Sequence, residues 1–330
     1  MPAPTQNRPA SRRVATGVAG TLFKVLGVLA VAPLAVLALN FFVFFPYHAD
    51  VVAPPVIRKD SDDFYTKIYS KSVEPAENAE PEADNAGQYV SIAQKAVAEY
   101  NIVDRMKKVV EKYGLKDKHV LDVGAGTGYL QDLVDDYVGL DISASAKRYF
   151  HKPFVQASAT EMPFRDGEFD ALWSVWVLEH VPKPEQALVE IRRVVKDGGV
   201  LYLRPAWNCA PWFAQGYPVR PYSDFGLRGK MIKASLPVVS RLRVASLLGV
   251  RYVRQQYSMI SSRPTRFHYG LLEPNYAHYW MADSDALNDL DLNEALLWFT
   301  SRGDECLNCD SGALLQFDEL IVRVHKRAGA

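Results

Sequence analysis

Glycine alternates with small residues at positions 124 to 128, directly after a short apolar run. The run is HVLDV at 119–123, and the loop that follows it reads GAGTG. Glycine has no Cβ atom, so a strand that ends in alternating glycines lets the backbone approach a ligand closely. This pattern indicates a site for a nucleotide-like cofactor. The dinucleotide fingerprint G-x-G-x-x-G is not met, because position 129 is Tyr, and this argues against a nicotinamide cofactor.

Two further positions carry side chains suited to binding or to proton transfer. Asp141 ends the apolar run VGLD, where an acid can accept hydrogen bonds from both hydroxyls of a ribose. His180 follows the run ALWSV and is the first candidate for a general base, with His268 and His278 behind it. The alternatives are an ordinary surface carboxylate and a structural histidine between a strand and a helix.

Four ordered motifs resemble those of class I S-adenosylmethionine-dependent methyltransferases. They are VLDVGAGTG, VGLDIS, MPFRDGEFDALWSVWVLEHV and ALVEIRRVVKDGGVLYL, and the resemblance covers residues 88 to 205. The most similar branch includes ubiquinone- and menaquinone-type C-methyltransferases and many small-molecule O- and N-methyltransferases. The resemblance implies S-adenosylmethionine as cofactor and methyl transfer to a small-molecule acceptor.

The resemblance also implies cofactor-binding roles at matched positions. In chain order these positions are Asp122, Gly124, Ala125, Gly126, Gly128, Asp141, Ile142, Ser158, Ala159, Val175 and Trp176. The positions from 122 to 128 would hold the methionine part of the cofactor, and Asp141 would bind the ribose hydroxyls. Val175 and Trp176 would lie beside the sulfonium. Ser158 departs from the Asp that many members have where the family meets the adenine. His180 matches a frequent family histidine.

These motifs need a sheet to position them. Apolar runs and helical periodicity predict strands and helices in alternation, with a helix over 88–113 that stops at Gly114 and another over 184–195. The family fold implies a closing helix at 286–301 and a last hairpin at 304–326, so that 206–283 is an insertion after the fifth strand. The predicted fold is a Rossmann-like, seven-stranded α/β sheet with a mostly helical insertion.

The insertion is strongly basic. Between Asp224 and Glu273 the chain has nine Lys and Arg residues and no acid. Three interpretations remain open: a cap whose basic side faces solvent, a patch against a membrane surface, and a pocket for an anionic acceptor. Aromatic residues from Trp207 to Trp280 could line an acceptor pocket or belong to the core.

Residues 25–45 contain no charged side chain. As a helix rising about 1.5 Å per residue, the run would span roughly 30 Å, the thickness of a bilayer's hydrocarbon core. We therefore expect a single-pass membrane protein with a tail at 1–24, an anchor at 25–45, a linker at 46–87 and a methyltransferase domain at 88–330. A cleaved signal peptide and a buried core helix are the alternatives. The anchor suggests a membrane as partner and a lipid-like acceptor.

Two arguments about the orientation of the predicted anchor conflict. Basic residues before the run favour a catalytic domain on the far side of the membrane. The cofactor, however, is made in the cytosol, so we expect a cytosol-facing domain that can meet its substrate.

Composition excludes several classes. With 48% hydrophobic residues among 330, the chain is not generally disordered, and three cysteines do not make a disulfide scaffold. The lone C-x-x-C at 306–309 is expected to hold ordinary thiols, and no metal site is predicted. Zero net charge and the lack of a recognition motif argue against nucleic acid as partner.

Two rival functions remain open at this level. One is a membrane-tethered protein that binds S-adenosylmethionine without catalysis, and the other is a nicotinamide-dependent reductase. The identity of the acceptor and the oligomeric state are not determined by the sequence.

Overall fold

The computed structural model of the chain describes residues 27, 31–36, 38–45, 47–49, 55–69, 85–261, 263–309, 315 and 318–326, and it gives only the backbone at 55–60, 62 and 85–88. The predicted tail at 1–24, parts of the predicted anchor and much of the predicted linker lie outside these residues.

Seven strands form one sheet. In chain order they are β1 (His119–Val123), β2 (Asp136–Asp141), β3 (Phe154–Gln156), β4 (Phe169–Val175), β5 (Val195–Arg204), β8 (Glu305–Cys306) and β9 (Leu320–Arg323). The strand order is β3-β2-β1-β4-β5-β9-β8. The first five strands are parallel, β9 is antiparallel to β5, and β8 is antiparallel to β9. A separate two-stranded ladder joins β6 (Gly270–Leu271) to β7 (Asn288–Asp289).

The direction of winding reverses between β1 and β4, which lie side by side although β2 and β3 separate them in the chain. In an open parallel sheet a crevice forms beyond the carboxyl ends of the strands at such a point, and ligands bind there. The sheet therefore places the glycine loop, which follows β1, next to the segment that follows β4.

Within the described part of the chain, residues 31–36 and 38–44 are helical, and further helices flank the sheet or extend from it. They are α1 (Pro55–Ile68), α2 (Asn85–Glu99), α3 (Ile102–Tyr113), α4 (Pro184–Val194), α5 (Leu227–Ile260) and α6 (Leu292–Thr300). Side chains of α4 and α6 pack on one face of the sheet, and those of α3 pack on the other. Because both faces are covered, the central strands are almost continuously apolar, and Leu121, Trp173 and Tyr202 are buried.

One predicted helix differs from the structure. The expected helix over 88–113 is divided into α2 and α3 at Asn101, which has a φ of 49°. Gly114 ends α3 as predicted, with a φ of 61°. Residues 124–135, which connect β1 to β2, form turns and bends. Leu130 and Val134 of these turns still pack into the core.

Within the insertion, α5 is the main element, and other residues of 206–283 lie largely in turns and loops, so the insertion is less helical than expected. The basic side chains of α5 do not all face solvent. Arg251 pairs with Asp291 at 2.5 Å with both side chains almost fully buried, and Arg254 pairs with Glu294 at 2.6 Å. Arg243 likewise pairs with Asp289 at 2.5 Å. Part of the positive charge is thus neutralised by acids from the segment around the start of α6.

The structure does not support the predicted transmembrane helix. Among the residues whose structure is described, no helix is both long enough and apolar enough to span a bilayer. The prediction of an anchor at 25–45, and with it the single-pass membrane localisation with a cytosol-facing domain, is therefore wrong. At the end of this run, Phe45 is buried against Leu247 and Val250 of α5. His48 then pairs with Tyr269 through backbone hydrogen bonds of 3.2 Å.

The three cysteines also differ from expectation. Cys306 and Cys309 form a disulfide, so the prediction of ordinary thiols is wrong for these two residues. The turn after β8 brings their Cα atoms to 5.6 Å, a separation that a disulfide can bridge. Cys209 is a buried free thiol.

Candidate active site

The glycine loop leaves β1 at the crevice and turns sharply under the segment that follows β4. Gly124 has a φ of 74°, and a Cβ atom there would lie 2.1 Å from Cγ2 of Val177. The backbone N–H groups of Gly124 and Ala125 both donate to the carbonyl oxygen of Leu140, at 2.8 and 3.0 Å. The loop is therefore fixed against the end of β2, and only glycine fits at position 124.

Asp141 lies at the end of β2 and fixes the same loop from the side. Its Oδ2 accepts a hydrogen bond from the N–H of Gly126 at 2.9 Å, and its Oδ1 accepts one from the N–H of Ser143 at 2.9 Å. Burial raises the pKa of Asp141, and these backbone donors act in the opposite direction. Each carboxylate oxygen has a second lone pair, so Asp141 can still accept hydrogen bonds from a ligand.

Asp122 lies deeper, within β1. It is buried, and its Oδ2 accepts a hydrogen bond from the hydroxyl of Tyr137 at 2.8 Å. Burial raises the pKa of Asp122 to about 7, against the lowering effect of that hydrogen bond. Asp122 supports the strand from which the loop starts and does not line the cavity described next.

A first cavity, partly open to solvent, lies at the carboxyl ends of the strands. Of the positions predicted from the sequence, it is lined by Gly124, Asp141, Ile142, Ser158, Ala159, Trp176 and His180. The remaining predicted positions do not line it: Asp122, Ala125, Gly126, Gly128 and Val175. We call this space the cofactor cavity.

Four residues in or just after the N-terminal helices also line the cofactor cavity, and none of them was predicted as a site residue. Ser61, Tyr65 and Tyr69 fall in the predicted linker, and Tyr89 comes from α2. The spacing of the first three is four residues each, which places them on one face of α1 and its end. This spacing is the signal that could have revealed them. The hydroxyl oxygen of Tyr69 lies 3.0 Å from the place where a Cβ atom would stand on Gly126.

A second cavity, also partly open to solvent, adjoins the first. Both are lined by Tyr89, Trp176 and His180, so these three residues form their junction. Trp176 has a φ of 54°, an unusual conformation that costs about 1–3 kcal/mol, and its N–H donates to the carbonyl oxygen of Arg204 at 2.9 Å. We call this second space the acceptor cavity. His268 and His278 line neither cavity.

His180 lies among carboxylates. Its Nδ1 is 3.5 Å from Oδ2 of Asp285, and its Nε2 is 3.7 Å from Oε1 of Glu179. The hydroxyl of Tyr65 donates to the same Asp285 oxygen at 2.5 Å. Burial lowers the pKa of His180, but Asp285, Glu179 and Asp283 raise it more strongly, so the net shift is upward. The imidazole is therefore held in a place that favours its protonated form.

Comparison with known proteins shows the family. A family model described as a methyltransferase domain matches residues 121–203. An uncharacterized methyltransferase of Mycolicibacterium gilvum is 34% identical over 210 residues, which are 54% of this chain and 76% of that protein. The chain belongs to the class I S-adenosylmethionine-dependent methyltransferases. The predictions of the family and of S-adenosylmethionine as cofactor are confirmed.

Other methyltransferases match over shorter parts. A demethylmenaquinone methyltransferase of Renibacterium salmoninarum is 36% identical over 104 residues, 28% of this chain and 44% of that protein. A solved S-adenosylmethionine-dependent methyltransferase of Aquifex aeolicus is 22% identical, with a TM-score of 0.28 over 32% of this chain and 65% of that one. That score is too low to establish a common fold. The chain spans less than half of the demethylmenaquinone methyltransferase.

The cofactor cavity of this methyltransferase fits the group that its family uses. Asp141 offers free lone pairs to a ribose, and the side chains of Ile142 and Ala159 offer apolar surface to a base. The carboxylates around His180 favour a positive charge nearby, as a sulfonium has.

The same carboxylates raise the question of a metal ion. Glu179, His180 and Asp283 each place an oxygen or nitrogen atom within 4.8 Å of the others. A histidine that binds a metal ion, however, must use a ring nitrogen that carries no proton. Because both ring nitrogens of His180 face carboxylates, the arrangement suits an imidazolium better than a metal complex.

Proposed function

We propose that this methyltransferase binds S-adenosylmethionine in the cofactor cavity and transfers its methyl group to a small molecule in the acceptor cavity. The observation that carries the proposal is the shared lining of the two cavities by Tyr89, Trp176 and His180. Two reactants in adjoining spaces can be aligned for an in-line displacement, and alignment can supply up to roughly 7–11 kcal/mol of a barrier.

In this proposal the cofactor, when bound, supplies a methyl group already activated by its sulfonium. Asp141 accepts hydrogen bonds from the ribose, and Ile142, Ser158 and Ala159 surround the adenine. The backbone at Gly124 lies under the methionine part. Asp122, Ala125, Gly126, Gly128 and Val175 act indirectly, by fixing the loop and the strand ends from behind.

His180 is the proposed general base at the junction. An acceptor that must lose a proton can pass it to the imidazole when the ring is neutral, and such a base contributes about 10²–10⁴-fold. Asp285 faces Nδ1 and, in this proposal, orients the ring. Trp176 also lines both cavities at this junction.

A lipid-like acceptor was inferred from the predicted membrane anchor. Since the structure gives that anchor no support, the acceptor class has to be argued from the acceptor cavity itself.

The assignment is tested first through cofactor binding. In Asp141→Asn an amide N–H₂ replaces one of the oxygens that accept from Gly126 and Ser143, so the loop loses an acceptor and the ribose loses a partner. We expect the affinity for S-adenosylmethionine, measured by calorimetry, to fall by at least about tenfold, the equivalent of 1.4 kcal/mol. Asp117→Asn, at an exposed position, is the matched control and should bind like the wild type.

Unchanged cofactor affinity in Asp141→Asn would contradict the cofactor assignment. Binding without conversion to S-adenosylhomocysteine, across a wide panel of acceptors, would instead identify a cofactor-binding protein that does not catalyse. Tight binding of a nicotinamide cofactor in place of S-adenosylmethionine would favour the reductase alternative.

A further inference from the structure

The acceptor cavity has an excess of negative charge in its inner wall. Asp283 and His180 line the cavity, and Glu179 and Asp285 lie fully buried behind them. Three carboxylates thus surround one imidazole. Within the described part of the chain, Oε2 of Glu179, Oδ1 of Asp285 and Nδ1 of His180 are buried and have no hydrogen-bond partner. A buried carboxylate oxygen without a partner costs about 1–3 kcal/mol or more, and the charge of these acids favours a positive charge in the adjoining cavity.

The one guanidinium in the lining does not offset this charge. Arg204 is buried and is already paired with Asp318 and Glu319. Its guanidinium carbon also lies 5.8 Å from the centre of the Tyr100 ring. Arg204 is therefore outnumbered by its own two acids, although its Nε, among the described residues, is buried without a hydrogen-bond partner.

Six other residues of the lining are aromatic, and most of the remainder are aliphatic. The aromatic residues are Tyr89, Tyr100, Trp176, Trp207, Phe213 and Tyr279. The rings of Tyr89 and Tyr279 are 4.9 Å apart, and those of Tyr100 and Trp176 are 5.9 Å apart. Aromatic faces attract organic cations by about 0.5–2 kcal/mol each, depending on desolvation. Aromatic walls together with surplus carboxylates form a site suited to a cationic ligand.

We propose that the methyl acceptor is an amine, bound as its ammonium between the aromatic walls of the acceptor cavity and Asp283. This inference rests on the proposed function, since it names the substrate class of the same site. Burial and Glu179 raise the pKa of Asp283 to about 7, and a cation beside the carboxylate would stabilise its ionised form.

The chemistry balances within this site. The ammonium gives one proton to neutral His180, which leaves a nitrogen lone pair. That lone pair forms the new N–C bond while the C–S bond breaks, and the sulfonium becomes a neutral thioether. The positive charge thereby moves from sulfur in the cofactor cavity to nitrogen in the acceptor cavity. Carboxylates on the acceptor side stabilise the charge where it develops.

The test uses the full chain saturated with S-adenosylhomocysteine and three probes of similar shape: 2-phenylethylamine, 2-phenylethanol and phenylacetate. We expect calorimetry to show the tightest binding for the amine. In Asp283→Asn the amine should bind at least about tenfold more weakly, as expected for the loss of one charge-assisted contact, and the alcohol should be little affected. Asp132→Asn, at an exposed position, is the control and should bind the amine like the wild type.

Asp283→Asn should keep the fold, because Asp283 has a φ of 62° and Asn tolerates this conformation well. Retained affinity for S-adenosylhomocysteine checks this directly. Equal or tighter binding of the alcohol or the carboxylate would overturn the inference. Displacement of the amine by Mg²⁺ or Mn²⁺ alone, with a tight metal affinity that is lost in Asp283→Asn, would also overturn it. Failure of S-adenosylhomocysteine to bind wild-type protein would refute the proposed function instead.

Discussion

At the scale of single residues, the site depends on carboxylates that have different neighbours. Asp141 receives two backbone N–H groups, Asp122 receives a tyrosine hydroxyl, and Asp283 faces a cavity beside other acids. The first two are visible in the sequence, because Asp122 occupies the apolar run before the glycine loop and Asp141 ends the next apolar run. Asp283 has no such pattern. Its place beside His180 arises only when the chain returns from the insertion.

The protonation of His180 gives a prediction at this scale. The charged groups that face its ring are Glu179, Asp283 and Asp285, and the hydroxyl of Tyr65 contacts the last of these. Since these acids outweigh the effect of burial, the folded-state pKa lies above the ordinary 6.5. The imidazole thus stays protonated to higher pH, and activity that needs it as a base should rise as pH increases through the raised value.

The measurement is an NMR titration of the imidazole, with the signal of His180 identified from its loss in His180→Gln. We expect a midpoint above 6.5 in the wild type and a lower midpoint in Asp283→Asn, where one of the raising charges is absent. A wild-type midpoint below 6.5 would contradict the described electrostatics. With an acceptor that supports turnover, the alkaline rise of kcat/KM should disappear in His180→Gln.

At the scale of elements, the central strands could be predicted from the sequence, but the packing of α1 and α5 around them could not. β1, β4 and β5 are buried on both faces, and this is why they read as short apolar runs. The partners of the α5 arginines were not predictable, because Asp289, Asp291 and Glu294 follow a loop some forty residues away along the chain. The cavity-lining face of α1 was missed because its other positions are polar and charged, as in a linker.

The pair Arg251 and Asp291 gives a prediction for α5. Arg251 donates to both carboxylate oxygens of Asp291, and both residues are buried. Arg251→Met keeps much of the apolar stem but leaves a buried carboxylate unpaired. We expect the free energy of unfolding, measured with urea, to fall by about 3–5 kcal/mol.

The exposed Arg228→Met on the same helix is the control, and it should change stability by less than about 0.5 kcal/mol. Replacing both partners, in Arg251→Met with Asp291→Leu, should recover most of the loss because no charge is left buried alone. If the single variant were as stable as the control, α5 would not be held to the domain by this pair.

At the scale of the whole molecule, the cofactor cavity joins parts of the chain that are distant in sequence. Ser61, Tyr65 and Tyr69 belong to α1 and its end, whereas Gly124 and Asp141 belong to the sheet. The hydroxyl of Tyr65 donates to Asp285 at 2.5 Å, and Ser145 donates to the carbonyl oxygen of Thr66 at 3.2 Å. A ligand that fills the cavity would touch both parts at once. Its binding free energy should therefore hold α1 against the sheet.

We expect S-adenosylhomocysteine to slow amide hydrogen exchange in residues 61–69 as well as in the glycine loop. At a ligand concentration of 100 Kd the stabilisation is about 2.7 kcal/mol, which corresponds to slowing of up to about a hundredfold wherever exchange requires release of the ligand. Residues 227–242 of α5 line neither cavity and provide the internal control. Protection confined to the glycine loop and β2, with 61–69 unchanged, would show that α1 does not close on the cofactor, since a helix that shares the ligand cannot open without releasing it.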